Sequence, residues 1–235
     1  YNNGASLEGK GFHFTQKMLV RDLQRHFRKY GRAGGIILTD ARNFFPSADH
    51  DYLIYRHKKL IKNPQLKDFA DRIVSSTPSP KGMPLGVEPS QVEMIAYPSA
   101  MDNYLCCQYG LKGGHYMDDF YYMVPPDVDP KEVIKAINEQ AKKNHLTLHP
   151  DKTRYIPLTK PFRFCKIKYI LTETGKVIKR ANQKTMGRDR KKIKALHKKI
   201  LNHEMSYEDL WTSINGMMAY LGNYQEHNHI LELRR

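Results

Sequence analysis

The sequence predicts an α+β fold in which helices cover one face of an antiparallel sheet. Three observations lead to this prediction. An apolar run at residues 36–38 ends at Asp40 and has the length of a strand, residues 110–125 (GLKGGHYMDDFYYMVP) have the form of a hairpin, and apolar residues recur at helical spacing around both. The order of strand, helices, hairpin, helix and strand is that of a split βαβ arrangement.

The first element is an amphipathic helix over residues 15–30, with a basic outer face and an apolar stripe made of Met18, Leu19, Leu23, Phe27 and Tyr30. After the strand, Pro46 and Ser47 indicate a helix start, followed by about two helical stretches through Val74.

Four prolines and two glycines in residues 75–91 predict a shaped loop. A further helix is expected from about residue 89 to residue 106, and Pro98 should kink it or end it early. After the hairpin, Asp129 and Pro130 resemble an N-cap and a first-turn proline of a helix that runs to about residue 144.

Two more strands are expected at residues 153–158 and 162–171, with a domain boundary near Lys160. Beyond it, residues 176–199 carry eleven Lys and Arg against one acid, yet their apolar residues keep helical spacing. This pattern predicts a basic helix over residues 183–202. Ser206 and Asp209 then resemble a capping box for a last helix.

The net charge of the chain indicates which class of molecule it binds. The chain has 39 Lys and Arg against 24 acids, a net charge of +15 and a pI near 9.6, which indicates a polyanion. We favour nucleic acid over an anionic membrane, because no basic helix with a broad apolar face and no membrane-length apolar run stands out. Three cysteines without a CxxC motif suit a reducing compartment, so a cytoplasmic location is expected. A start at Tyr1 without Met indicates a piece of a longer protein.

Three carboxylates carry the chemistry. Asp118 and Asp119 stand side by side among apolar residues, and Asp40 ends an apolar strand. If that strand neighbours the hairpin, the three groups come together and need a cation among them. Asp oxygens suit Mg²⁺, and two such ions about 4 Å apart perform in-line phosphoryl transfer.

Five stretches in order resemble the palm and primer-grip motifs of reverse transcriptases: TDARNFF, KGMPLGVEPSQ, HYMDDF, LTLHPDKT and PFRFCKIKY. YMDDF together with PSQ is most similar to the bacterial branch that includes diversity-generating retroelement enzymes. ASLEGKGFHF and WTSINGMMAYLGNYQ resemble the segment before the palm and a thumb helix. Group II intron enzymes are the nearest rival, although they would more often show alanine in place of Met117.

The resemblance implies an RNA-directed DNA polymerase of bacterial or phage origin with a right-hand architecture. Residues 1–160 would form partial fingers and the palm, with the fingers largely absent, and residues 161–235 the primer grip and helical thumb. Implied partners are an RNA template, a DNA or RNA primer, deoxynucleoside triphosphates and a basic accessory protein. An alternative of another class is a nucleic-acid-binding fragment that is inactive without its fingers.

By position, the resemblance implies that Asp40 and Asp118 are the main ligands of two Mg²⁺ ions, for which Mn²⁺ could substitute. Asp119 would lie beside the primer end, and the carbonyl of Ala41 would complete the metal shell. Phe45, five residues after Asp40, would be the steric gate that leaves no room for a ribose 2′-hydroxyl.

Nucleotide-binding roles fall on Leu85 and Gly86 in the pocket loop, on Gln91 in the helix behind it, and on Lys152 near the leaving pyrophosphate. Arg42 is a further candidate for the triphosphate. An aliphatic Leu85, where the family often has glutamine, implies loose discrimination and low fidelity.

Cations are the expected contacts to nucleic acid, and along the basic helix they would touch phosphate without recognising base sequence. The candidates are Lys10, Lys166, Lys184, Arg188, Lys191, Lys192 and Lys198. At Phe164 to Ile167 the chain lacks the glycine that the family's primer-grip turn tends to contain, which puts that turn's conformation in question.

Overall fold

The computed structural model describes residues 3–226 and residue 230, apart from the side chain of residue 183. The chain divides into two compact units, Tyr1–Thr159 and Lys160–Arg235. Within the described residues, no helix is both long enough and apolar enough to cross a membrane. The mixture of helices and antiparallel strands in both units is an α+β fold.

The first unit begins with α1 (Phe12–Tyr30), β1 (Gly35–Asp40), α2 (His50–Leu60), α3 (Pro64–Val74), α4 (Glu88–Ala96) and α5 (Ser99–Asn103). A π-helical turn (Tyr104–Gln108) leads to the hairpin of β2 (Lys112–Tyr116) and β3 (Asp119–Val124), then to α6 (Pro130–Lys143). A 3₁₀ turn (Pro150–Lys152) and β4 (Arg154–Pro157) complete it. The second unit contains β5 (Phe162–Phe164), β6 (Ile167–Leu171), β7 (Val177–Arg180), α7 (Gln183–Leu201) and α8 (Tyr207–Leu221).

The four strands of the first unit form one antiparallel sheet in the order β2-β3-β1-β4. The predicted strand at residues 36–40 therefore lies beside the predicted hairpin. The β1–β3 register runs from Gly35 opposite Val124 to Asp40 opposite Asp119. This register brings the acidic ends of the two strands to the same edge of the sheet.

Helices cover both faces of this sheet, so the expectation of helices on one face only is wrong. Tyr122 of β3 packs in a core with Val133 and Ile137 of α6. Its neighbour Tyr121 points the other way, as alternate strand residues do, and its hydroxyl donates to Asp22 of α1 at 2.8 Å. Strands β1 and β3 are buried along nearly their whole length, and such strands need cover on both sides.

Helix starts follow their capping residues. Helix α2 begins at His50 rather than near Pro46, because the Asp49 side chain accepts from the Tyr52 amide at 2.9 Å. The predicted cap of α6 is confirmed, since the Asp129 carboxylate accepts from the Lys131 amide at 2.9 Å. The helix expected over residues 89–106 is interrupted at Pro98, as predicted, and continues as α5 and the π-helical turn.

The second unit has its own antiparallel sheet in the order β5-β6-β7. The single strand expected over residues 162–171 is a hairpin instead, because Cys165 and Lys166 have φ values of 47° and 68°. Two consecutive left-handed residues are the requirement of a tight hairpin turn, and here neither is glycine. Strand β7 was not expected from the sequence.

The basic helix predicted over residues 183–202 is confirmed as α7, and the Asn182 side chain caps it by accepting from the Lys184 amide at 3.0 Å. The capping box at the start of α8 is confirmed too, with the Asp209 amide donating to Ser206 Oγ at 3.1 Å. Helices α7 and α8 bury a small apolar set within this unit, made of Ile200, Ile214, Met217 and Leu221.

Candidate active site

Two of the three carboxylates face each other across the β1–β3 ladder. Asp40 is the last residue of β1 and its register partner is Asp119, the first residue of β3. Asp118 lies in the turn before β3, and its carbonyl accepts from the Ala41 amide at 2.9 Å. The structure thus gathers Asp40, Ala41, Asp118 and Asp119 at one end of the sheet, although the two strands are far apart in sequence.

The hairpin turn has an unusual backbone conformation. Met117 adopts a left-handed φ of 54°, which a non-glycine residue rarely does without support. This conformation reverses the chain directly before Asp118.

The loop between α6 and β4 brings a cation to the carboxylates. The backbone amide of His149 donates to the Asp40 carbonyl at 2.8 Å, and the hydroxyls of Thr39 and Thr153 lie 2.7 Å apart. These contacts hold the Pro150–Lys152 turn against β1. Lys152 Nζ then donates to Asp40 Oδ1 at 2.8 Å.

The electrostatics agree with this geometry. Burial raises the pKa of the Asp118 carboxyl above its usual 3.8, the negative charge of Asp40 raises it further, and Lys152 opposes the rise. The hydrogen bond to Asp40 raises the pKa of Lys152, so its ammonium stays charged at neutral pH. The carboxylates therefore repel one another at a site where an added cation would relieve the repulsion.

The donor set fits magnesium in the way that nucleotide-binding proteins use it. Mg²⁺ commonly takes one or two carboxylates and obtains its other ligands from waters and phosphate oxygens, and Asp40, Asp118 and the Ala41 carbonyl are oxygen donors of this kind. Among residues 3–226 and 230, no group of three or more His, Cys, Asp or Glu side chains is arranged so that it could hold a metal ion by itself.

Phe45 lies in the turn after β1 and is tied to the proline-rich loop. Its carbonyl accepts from the Met83 amide at 3.0 Å, and its half-buried ring meets Phe44 edge to face with centroids 5.9 Å apart. Gly82 anchors the same loop, since its amide donates to the Ala48 carbonyl at 2.7 Å and its carbonyl accepts from the His50 ring at 2.7 Å. The expected sugar gate and pocket loop are therefore neighbours.

The remaining nucleotide candidates are exposed. Leu85 at the loop tip is 74% exposed, and Gly86 beside it has a left-handed φ of 81°. Gln91, in the second turn of α4, is exposed, as is Arg42, whose amide donates to the Thr147 carbonyl at 2.7 Å. Unpacked side chains of this kind are free to meet a ligand.

The predicted nucleic-acid contacts fall in both units. Lys10, in the first unit, places its ammonium 5.3 Å from the centre of the Phe14 ring. In the second unit the candidates are exposed on the β5–β6 turn and along α7, namely Lys166, Lys184, Arg188, Lys191, Lys192 and Lys198.

A buried pair behind the hairpin was missed from the sequence. His115 of β2 and Asp102 of α5 are 1% and 3% exposed, and His115 Nε2 lies 2.9 Å from Asp102 Oδ2 at an angle outside that of a hydrogen bond. The other ring nitrogen, Nδ1, lies 3.1 Å from the carbonyl oxygen of Met117. A lone acid in the apolar stretch AMDNYL was the one available clue.

A comparison with protein families gives one match. The model described as "Reverse transcriptase (RNA-dependent DNA polymerase)" matches residues 7–201, which is more than half of the chain. The matched range includes both carboxylate strands, the proline-rich loop, the Lys152 turn and α7. A search of curated proteins finds no match.

Proposed function

Because the chain belongs to the reverse transcriptase family, and is thus an RNA-directed DNA polymerase, we propose that Asp40, Asp118 and Asp119 form its nucleotidyl-transfer centre. The observation that carries the proposal is the cross-strand juxtaposition of Asp40 and Asp119, with Asp118 in the adjoining turn. Template, primer and deoxynucleoside triphosphate are the substrates of this enzyme class.

In the proposed reaction the primer 3′-hydroxyl oxygen attacks the α-phosphorus of the incoming nucleotide. The hydroxyl proton passes to solvent water, the new P–O bond forms as the bond between the α-phosphorus and the α,β-bridging oxygen breaks, and pyrophosphate leaves. Asp40, Asp118 and the Ala41 carbonyl would hold two Mg²⁺ ions, or Mn²⁺ in their place, which when bound supply activation of the hydroxyl and charge neutralisation at the phosphates. Asp119 would lie beside the primer end.

Lys152 is the cation of this chain that we assign to the leaving group. It is bonded to Asp40 and its side chain is 55% exposed, so it can exchange that partner for a phosphate oxygen. An ammonium next to a departing pyrophosphate stabilises the charge that develops there and can donate a proton. Arg42, exposed two residues after Asp40, would add charge near the triphosphate.

Selection of the sugar is assigned to Phe45 and selection of the base to the loop at Leu85, Gly86 and Gln91. The bond between the Phe45 carbonyl and the Met83 amide supports this assignment, because it couples the gate to the loop. An exposed aliphatic Leu85 offers no hydrogen bond to the incoming nucleotide. We propose an error-prone enzyme of the diversity-generating retroelement type on this ground, and Leu85→Gln should lower the error frequency in sequenced products.

The two units would have different roles in polymerisation. We propose that residues 1–160 are the palm with partial fingers and that residues 161–235 are the primer grip and helical thumb. What supports the second assignment is the row of exposed cations on α7, which suits the phosphates of a template–primer duplex. Lys166 on the β5–β6 turn, and Lys10 in the first unit, would add further phosphate contacts.

Primer extension tests the proposal. The full chain should extend a DNA primer on an RNA template with Mg²⁺ and deoxynucleotides, and Asp118→Asn should abolish the product. Asp127→Asn, which removes an exposed carboxylate beyond the opposite end of β3, is the control and should leave the rate unchanged. A chain that forms no product, or an Asp118→Asn variant as active as the parent, would contradict the assignment.

A further inference from the structure

Behind the catalytic hairpin, the buried side chain of His115 lies between helix α5 and the hairpin turn. Asp102 belongs to α5, and His115 belongs to β2 of the hairpin. The ring of His115 also stacks on Phe120 of β3, with centroids 4.9 Å apart and planes 19° from parallel. The imidazole is thus held on one side by a ring and at one edge by a carboxylate.

The Nδ1 edge of the imidazole lies against the hairpin turn at Met117. A carbonyl oxygen only accepts, so the Nδ1 atom that lies 3.1 Å from the Met117 oxygen must carry the proton of this contact. Met117 is the residue with φ of 54°, a conformation that persists only where its surroundings hold it. A buried donor at the Met117 carbonyl is such a restraint.

Asp102 in turn holds the imidazole. Its carboxyl group is almost fully buried, with Oδ2 2.9 Å from Nε2, so rotation of the ring away from Met117 would take away the nearest polar neighbour of a buried polar group. Carboxylate, imidazole and carbonyl therefore form a chain from α5 to the residue before Asp118.

We propose that the Asp102–His115 pair is a positioning device for the catalytic turn. By fixing the Met117 carbonyl, it sets the path of the backbone into Asp118 and keeps the Asp118 carboxylate directed at Asp40. His115 does not contact the reacting groups. The inference rests on the proposed function, since it assigns the catalytic role to Asp118.

Substitutions at position 115 can separate the two interactions. The side-chain amide nitrogen of asparagine can occupy nearly the place of imidazole Nδ1, and that of glutamine nearly the place of Nε2. His115→Asn therefore keeps a donor for Met117, whereas His115→Gln keeps a polar nitrogen beside Asp102 and removes the donor for Met117. His57→Gln is the matched control, because His57 is also buried and also contacts carboxylates, Asp71 at 2.7 Å and Glu93 at 3.0 Å, yet it lies on α2.

Amide hydrogen exchange gives a measurement that needs neither metal nor turnover. The Ala41 amide donates to the Asp118 carbonyl, so its exchange rate reports the position of the turn. We expect His115→Gln to raise that rate at least about tenfold relative to the amides of central β1, since removal of one buried hydrogen bond has this effect. His115→Asn and His57→Gln should leave it near the parental value.

Kinetics provide the second measurement. His115→Gln should lower kcat about ten- to a hundredfold with little change in KM for the nucleotide, because a misplaced catalytic group costs rate rather than affinity. His115→Asn should retain most of kcat, and His57→Gln should lower the melting temperature without a comparable fall in kcat.

Two results would overturn the proposal: an Ala41 exchange rate in His115→Gln equal to that of the parent, or equal effects of the asparagine and glutamine variants on kcat. A parent chain that makes no product would refute the proposed function instead, and the exchange measurement would still decide whether His115 positions the turn.

Discussion

The ammonium of Lys152 lies 2.8 Å from Oδ1 of Asp40, 112 residues away in sequence. Asp40, a proposed catalytic carboxylate, is therefore paired with a cation of the chain itself. Mg²⁺ and Lys152 would compete for Oδ1 of Asp40. The Lys152–Asp40 pair should therefore affect the Mg²⁺ concentration that activity requires.

Lys152→Met should lower kcat about a hundredfold, the scale expected when an acid or charge-stabilising group is removed. The same change should lower the Mg²⁺ concentration needed for half-maximal activity, because Asp40 no longer has its competing partner. Arg154→Met removes an exposed cation from the adjacent strand and serves as the control. Titration of Mg²⁺ in single-turnover primer extension measures both effects, and an unchanged kcat would remove Lys152 from the reaction.

Asp118→Asn should abolish activity and yet stabilise the fold by about 1 kcal/mol in the absence of metal. Folding raises the pKa of Asp118 above 3.8, chiefly by burial, so the folded state retains a proton that the unfolded state loses. The contribution of Asp118 to the free energy of unfolding therefore falls as pH rises from about 3.8 to the higher pKa of the folded state. In calorimetric melting without Mg²⁺, the variant should have a higher melting temperature than the parent at neutral pH, and the difference should disappear in acid. A variant that melts below the parent at neutral pH would contradict this.

Phe45→Val should admit ribonucleotides, with the preference for deoxynucleotides falling at least about tenfold, because a smaller side chain leaves room for the 2′-hydroxyl. Phe44→Val is the control: its ring is 5% exposed and packs in the core, so the change should cost up to about 3 kcal/mol of stability without altering sugar preference. Competition between matched ribo- and deoxynucleotides in primer extension measures the ratio. Equal selectivity in parent and Phe45→Val would exclude the gate.

Lys166→Gly should raise the free energy of unfolding of the protein by about 1 kcal/mol, since glycine adopts the φ of 68° without the steric cost that a side chain meets. Lys168→Gly, in the extended strand β6, should instead lower it by about 0.5–1 kcal/mol. Urea denaturation compares the two variants. A destabilised Lys166→Gly would mean that the lysine side chain stabilises the turn more than its conformation costs.

Neutralising cations on α7 should weaken binding to a template–primer duplex and reduce its salt dependence by about 0.9 in log–log slope for each phosphate that the helix no longer neutralises. The variant replaces four exposed residues with glutamine, namely Lys184, Arg188, Lys191 and Lys192. Its control makes the same change at four exposed lysines of α6, namely Lys131, Lys135, Lys142 and Lys143. Fluorescence anisotropy over a range of salt concentrations measures the slope, and equal slopes for the two variants would argue against a special role for α7.

Several helices and turns were predicted correctly because each depends on residues that are close together in the sequence. The hairpin before and after Asp118, the cap at Asp129, the break at Pro98 and the basic helix α7 all depend on residues within a few positions of one another. The conformation of the turn at Cys165 and Lys166 could not be predicted from the residues for the complementary reason: neither residue favours a left-handed conformation, and the pairing of β5 with β6 imposes it.

The sequence by itself determined which groups are available for chemistry and in what order they occur: Asp40 at a strand end, two adjacent aspartates in a hairpin and Lys152 shortly after a proline. Only the tertiary structure decided that α1 covers the second face of the sheet, that Lys152 pairs with Asp40 and that His115 connects Asp102 to the turn. Strand order and register create these contacts, and both depend on the burial of residues far apart in the chain rather than on the pattern of any one segment.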